Sequence, residues 1–211
     1  MKVLLVNGSP HQKGCTYTAL SEVAKTLNEN NIETEIFWLG VKPISGCIAC
    51  NGCDKTGGRC VLGGIVNEFL DKCDSADGFI FGSPVHWAGG TGAITSFMDR
   101  IFYAGSRDSK QLFLLKPAAV VTSARRSGTT ATWDQLNKYF ALMQMPIIPS
   151  RYWNNVHGYT PEQVLQDLEG MQQMRYLGRN MAWFLRCKEA AAKAGVPIPE
   201  QEPVVFTNFI R

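Results

Sequence analysis

The sequence predicts an α/β fold, a doubly wound parallel sheet of five strands in the order 2-1-3-4-5 with helices on both faces. Two observations carry that expectation. Short apolar runs ending in Gly, Ser or Pro alternate with amphipathic helical stretches through the first two thirds of the chain. Strands separated by helices all run the same way, and right-handed crossovers then leave a doubly wound sheet.

The first strand is the apolar run at residues 2–6, closed by Asn7, Gly8, Ser9 and Pro10. The helix behind it shows Leu20, Val23, Ala24 and Leu27 on one face. Residues 32–39 alternate and are rich in β-branched and aromatic side chains, as a second strand should be. The third and fourth are residues 76–81, ending in Gly82-Ser83-Pro84, and residues 118–122, ending in Ser123. Helical patterns at residues 65–73, 91–102 and 132–143 separate these runs. A fifth strand is expected at Ile147 and Ile148, although the flanking Pro146 and Pro149 cannot donate to a sheet ladder.

Thr160, Pro161 and Gln163 then read as an N-cap, a first-turn proline and a capping-box partner, opening a helix that runs to the stop signals Gly195 and Pro197. Val164, Leu168, Met171, Met174, Leu177, Met181 and Phe184 recur along it at three- and four-residue spacing and mark a core stripe, part of which is available to a second subunit. Gly170 and Gly178 are the expected places for a bend or division. Residues 1–195 thus form a single domain. Residues 196–211 form a tail with Val204, Val205, Phe206, Phe209 and Ile210, expected to dock on the domain or on a partner subunit.

At 211 residues and 45% hydrophobic composition the chain can bury one full core. A net charge of +3 without any Lys/Arg block gives no surface for nucleic acid. The apolar run after Lys2 is too short for a signal peptide or a membrane span, so no membrane partner and a cytoplasmic location are expected. Of seven cysteines, Cys47, Cys50, Cys53 and Cys60 share one loop, which in a reducing compartment points to metal or redox chemistry before disulfides. Tetrahedral zinc is one candidate for four thiolates in one loop. Cys73 and Cys187 lie in helical patterns with apolar neighbours and are expected to be buried fillers.

In an open parallel sheet the ligand lies beyond the carboxyl ends of the strands where their order reverses, here after strands one, three and four. The first of these loops runs from Gly8 through Ser9, His11, Lys13 and Gly14 to Thr16, and delivers hydroxyls, backbone amides and positive charge to a helix N-terminus, a site for a phosphate dianion. It lacks the Lys-Ser/Thr pair of a nucleotide-hydrolysing P-loop and the Gly-x-Gly-x-x-Gly of a dinucleotide fold. Taken alone, it also reads as a plain turn of small residues. In the second loop, residues 82–92, His86 and Trp87 sit in glycine-rich backbone, which suits a planar heteroaromatic ring. The third, residues 122–130, is rich in small polar groups and carries Arg125 and Arg126.

Gly8-Ser9-Pro10 with Gly14 and Thr16, then Gly82-Ser83-Pro84-Val85-His86-Trp87, then Phe97-Met98-Asp99-Arg100 form an ordered set. With these motifs, residues 1–158 resemble the NADPH-dependent FMN reductase family, and more narrowly its iron-sulfur flavoprotein branch, which has a flavodoxin-like fold. The resemblance implies that Ser9, His11, Gly14, Cys15 and Thr16 hold the FMN phosphate. It implies likewise that Pro84, Val85, His86, Trp87, Ser123 and Gly128 hold the isoalloxazine ring. Cys15 stands where Asn is more usual, and His86 where Tyr is more usual. His86 is the one catalytic candidate, able to protonate an acceptor near neutral pH, with a stacked or hydrogen-bonded ring as the alternative.

The cysteine spacing is close to the compact pattern that holds a [4Fe-4S] cluster in that branch, with Gly46, Gly52, Gly57 and Gly58 supplying a tight backbone. Against the cluster, cluster-free relatives carry most of these cysteines, and Gly63-Gly64 replaces an acidic pair often seen after the last one. The expected function is an FMN-dependent oxidoreductase that takes electrons from NAD(P)H and reduces a flavin, quinone or other small oxidised acceptor, as a homodimer or homotetramer. The alternatives are an electron carrier fed by ferredoxin and a non-catalytic flavin-binding module.

Overall fold

Val3, Leu4, Leu5 and Val6 are all fully buried, which a strand achieves only in the middle of a sheet covered on both faces. The computed structural model describes residues 1–209, and these four residues lie in β1 (Lys2–Asn7). Around it lie β2 (Glu33–Trp38), β3 (Gly78–Pro84), β4 (Ala118–Ala124) and β5 (Asn155–His157), all pairs parallel, in the order β2-β1-β3-β4-β5. The predicted architecture is the observed one.

Alternate strand residues feed two separate cores. Leu4, Val6, Phe79, Phe81 and Val120 face α2 (Ile65–Cys73), α3 (Gly92–Gly105) and α4 (Thr129–Leu142) in a core dense in phenylalanine. Phe69 meets Phe81 and Phe97 edge-on, an arrangement worth about 0.5–1.5 kcal/mol per pair beyond simple burial. Val3, Leu5, Ile80, Ala119 and Val121 face α1 (Cys15–Glu29) and α6 (Leu168–Lys193). A Cβ at Gly178 would lie 2.8 Å from the Thr26 side chain, so this glycine lets α6 close directly on α1.

The fifth strand is not at Ile147 and Ile148. Ile147 forms only an isolated bridge with Ala118, and Pro149, which has no N–H, ends that contact. The chain then loops outward. Asn154 stabilises the loop by accepting from the Ser150 N–H at 2.8 Å, and the returning segment pairs with the far end of β4 through Asn155, Val156 and His157.

The long C-terminal helix divides at Asp167, not at either glycine. Thr160 caps α5 (Pro161–Gln166) as expected, accepting from the Gln163 N–H, while the Gln163 side chain accepts from the Tyr159 N–H. Asp167 then caps α6, one carboxylate oxygen accepting from the Gly170 N–H at 2.9 Å and the other from the His157 N–H at 2.6 Å. Val164, Met171, Met174, Leu177 and Met181 keep the predicted buried stripe, but Leu168, displaced by the break, is exposed.

Cys73 is buried, whereas Cys187 is exposed and fills nothing. No helix among the described residues is long and apolar enough to cross a membrane. Residues 196–209 are irregular, and Val204, Val205, Phe206 and Phe209 lie open to solvent, with Gln201 accepting a hydrogen bond from Gln144 at 3.1 Å. Ile210 lies outside the described residues.

Candidate functional site

The loop after β1 is shaped from within. Asn7 accepts from the Ser9 N–H at 3.1 Å, the Ser9 hydroxyl accepts from the His11 N–H at 3.1 Å, and Trp38 donates to the Ser9 carbonyl at 2.9 Å. This folds the loop over the start of α1. Gly14 is the N-cap there and brings no side chain to satisfy the first amides, leaving them to an anion.

The loops after β3 and β4 are fastened to the first. Gly8 donates to the Gly82 carbonyl at 2.8 Å, Thr91 donates to the Gly8 carbonyl at 2.9 Å, and the Thr16 and Ser123 hydroxyls meet at 2.9 Å. Val85 donates to the Ser123 carbonyl at 2.7 Å, which continues the β3–β4 ladder one step past the sheet. Gly128, at φ 91°, packs so tightly on Val85 that a Cβ would lie 2.9 Å from its methyl.

Between these loops lies an open cleft of about 290 Å³, lined by Ser9, Pro10, His11, Cys15, Thr16, Pro84, Val85, His86, Ser123, Ala124, Arg125, Gly158 and Tyr159. That volume lies at the lower edge of the range of small-molecule sites. Ser9, His11, Cys15 and Thr16 of the first loop thus line one cleft with Pro84, Val85, His86 and Ser123.

Three predicted residues do not line it. Gly14 and Gly128 act from behind, as helix N-caps. Trp87 turns away entirely: a tight turn closed by hydrogen bonds between His86 and Gly89 puts Trp87 at φ 58° with its indole 99% exposed. Gly158 and Tyr159 went unforeseen because they follow β5. With that strand correctly placed, the rule that ligands sit beyond strand carboxyl ends would have found them.

Cys15, the first residue of α1, lines the cleft. Its side chain turns to the Gly158 carbonyl at 3.6 Å, and burial holds its thiol above the ordinary range. Desolvation pushes Cys73 far higher. Thiol alkylation needs the thiolate, so a raised pKa slows it at a given pH. In folded, metal-free protein, iodoacetamide should therefore modify the exposed Cys47, Cys50 and Cys187 first and Cys15 later, with Cys73 protected until unfolding; peptide mass spectrometry reads the order.

The cysteine loop forms a second centre against α3. Cys47, Cys50, Cys53 and Cys60 all line one small cavity of about 20 Å³, together with Arg100 and Tyr103. Gly58, at φ 84°, presses on the Asp108 backbone where a Cβ would meet Cα at 2.8 Å, and Asn67 clamps Cys60 by exchanging two 2.9 Å hydrogen bonds with its backbone. Among the described residues no group of three or more His, Cys, Asp or Glu side chains is placed to hold a metal ion. The fit is one of donor chemistry: four thiols, the residue type that holds iron-sulfur clusters, line one cavity beside the buried guanidinium of Arg100.

A sequence model described as NADPH-dependent FMN reductase matches residues 1–160. An iron-sulfur flavoprotein of Methanocaldococcus jannaschii is 32% identical over 191 residues, which cover 86% of this chain and 96% of that protein. In fold, the chain is similar to RosB with bound 8-demethyl-8-formylriboflavin-5′-phosphate (TM-score 0.72, 12% identity, 100% of this chain and 96% of that one). It is similar also to a flavodoxin from the domain Archaea (TM-score 0.58, 13% identity, 88% and 99% covered). Together with the sheet order and the three fastened loops, these matches establish that the chain belongs to the NADPH-dependent FMN reductase family, in its iron-sulfur flavoprotein branch, and so to the flavin-dependent oxidoreductases.

Proposed function

We propose that the cleft binds FMN and that the protein takes electrons from NAD(P)H and passes them to a flavin, quinone or other small oxidised acceptor. The observation that carries this reading is the cleft itself, with uncapped helix amides at one end and the Pro84–His86 backbone at the other. When bound, FMN supplies both two-electron chemistry with hydride donors and one-electron chemistry with metal centres.

The chain's own residues hold and orient it. The first amides of α1 bind the phosphate, helped by the hydroxyls of Ser9 and Thr16 and by the positive charge of Arg125 on the same cleft. Pro84 and Val85 offer an apolar face to the ring, and the Thr16–Ser123 bond keeps the phosphate and ring walls at fixed separation. His86 also lines a second recess with Gly40, Lys42, Pro43 and Thr91. This places its imidazole between the ring wall and an approach route for small molecules, where it positions or protonates the acceptor.

The cysteine cavity supports a second redox centre, a [4Fe-4S] cluster on Cys47, Cys50, Cys53 and Cys60, which would let the protein take single electrons from ferredoxin. Exposed Ile48, Val61 and Leu62 around that cavity, with Trp87 near the cleft, support assembly into a homodimer or homotetramer that covers them. A cytoplasmic location completes the reading.

Anaerobic mixing with NADPH tests the donor. The FMN-loaded protein should lose its oxidised flavin absorbance within the mixing experiment. Absorbance that persists with NADPH and NADH but falls with reduced ferredoxin would identify an electron carrier instead.

A further inference from the structure

We propose that Arg100 is a positioning residue for the sulfur site, its guanidinium supplying the buried counter-charge that raises the reduction potential of a cluster held by Cys47, Cys50, Cys53 and Cys60. This rests on the cluster reading and assigns a role within it.

Arg100 is 5% exposed. Its Nε–H donates to Cys60 Sγ at 3.3 Å, Nη2 donates to the Gly63 carbonyl at 2.9 Å, and Nη1 reaches the Ser45 carbonyl at 3.5 Å. The carbonyls and the sulfur are uncharged partners unless the sulfur is anionic. Three other arginines, all more exposed than Arg100, have carboxylates: Arg59 pairs with Asp71, Arg107 with Asp54 and Arg175 with Glu22. Among the described residues Arg100 has no carboxylate within ion-pair distance.

A guanidinium stays protonated in proteins, so burial cannot be relieved by loss of the proton. A buried charge without an opposite charge is strongly unfavourable. Sulfur in the adjacent cavity is the group left to supply that charge. A four-iron cluster on four thiolates is anionic and gains one further negative charge on one-electron reduction, with no protein bond made or broken. A fixed cation in hydrogen-bond contact with a ligand sulfur favours the more negative state, and hydrogen bonds to the sulfurs and local charge are what set such potentials. The geometry also orients the ligand. Arg100 spans the Ser45 carbonyl before Cys47 and the Gly63 carbonyl after Cys60, and so ties the two ends of the ligand loop to α3.

The test uses the full chain, reconstituted with iron and sulfide and loaded with FMN. Wild type, R100Q and R100K are titrated anaerobically with dithionite, following the reduced cluster by electron paramagnetic resonance and the flavin by absorbance. R100Q should shift the cluster potential to more negative values, and R100K, which keeps the charge, should lie between R100Q and wild type. Flavin potential and FMN content should be unchanged in both. In wild-type protein labelled with ¹⁵N-arginine, the reduced cluster should show a weak ¹⁵N hyperfine coupling, a readout that does not depend on any variant folding. An unshifted potential in R100Q, an equal shift of cluster and flavin, an R100K potential as low as that of R100Q, or absence of the ¹⁵N coupling would overturn the role of Arg100. Wild-type protein that binds FMN but never retains iron overturns the cluster reading, and the Arg100 role with it.

Discussion

Replacing Cys50 by alanine (C50A) is expected to abolish iron binding and leave flavin binding intact. Cys50 is exposed and makes no core contact, so its loss costs the fold little. The side chain lines the cysteine cavity and not the flavin cleft. A four-iron cluster needs its full thiolate set, so iron per chain should fall from about four to near zero, and the broad visible absorbance that a chelator removes should disappear. C187A, which removes an equally exposed cysteine outside the loop, should retain both iron and colour. Iron at the wild-type level in C50A would mean that the metal sits elsewhere.

The second large effect concerns the opposite end of the site. Cys15 is the first residue of α1, and C15D places a carboxylate on the cleft wall beside the helix amides proposed to hold the phosphate. The two consequences have opposite signs. An acidic residue in the first turn of a helix is favourable by about 0.3–1 kcal/mol, so the apo protein should melt no lower than wild type. The same charge a few ångströms from a phosphate dianion is repulsive by a few kcal/mol at the effective dielectric of a protein surface, so FMN affinity should fall on the order of 100-fold. Riboflavin, which lacks the phosphate, should lose far less. C15N, neutral and of similar size, should keep FMN affinity near wild type. Calorimetric melting and flavin fluorescence titration measure both halves. Loss of stability without loss of affinity would place the phosphate somewhere other than at α1.

The sheet and both cores were legible because they depend on long runs. Val3 to Val6, Phe79 to Phe81 and Ala118 to Val121 are apolar at every position, and only a strand covered on both faces accepts that. The three loops that line the cleft were legible for a related reason, since their position at the carboxyl ends follows from the topology alone. What escaped the sequence depends on single side chains. β5 has three residues, of which only Val156 is buried, so no periodicity marks it. Its place is fixed by Asn154 folding the preceding loop, and with it went Gly158 and Tyr159.

Asp167 divides the last helix by serving two hydrogen-bond donors that are distant in sequence from one another, His157 and Gly170. The outward turn of Trp87 is set by the closure of His86 on Gly89, and a loop sequence does not state which of its aromatics will face inward. Arg100 was visible as part of a motif at the end of a helical stretch. Its burial beside Cys60, 40 positions away, is tertiary information.

The central claim is that the cleft between the loops after β1, β3 and β4 holds FMN by its phosphate at α1 and its ring at Pro84 to His86. Titration of flavin-free wild-type protein with FMN and, separately, with riboflavin tests it most directly, with flavin fluorescence as the readout. The expected result is saturable binding of about one FMN per chain, with riboflavin weaker by at least about tenfold because the charge-assisted phosphate bonds are absent. Equal affinity for the two flavins, or no binding of FMN, would contradict the account.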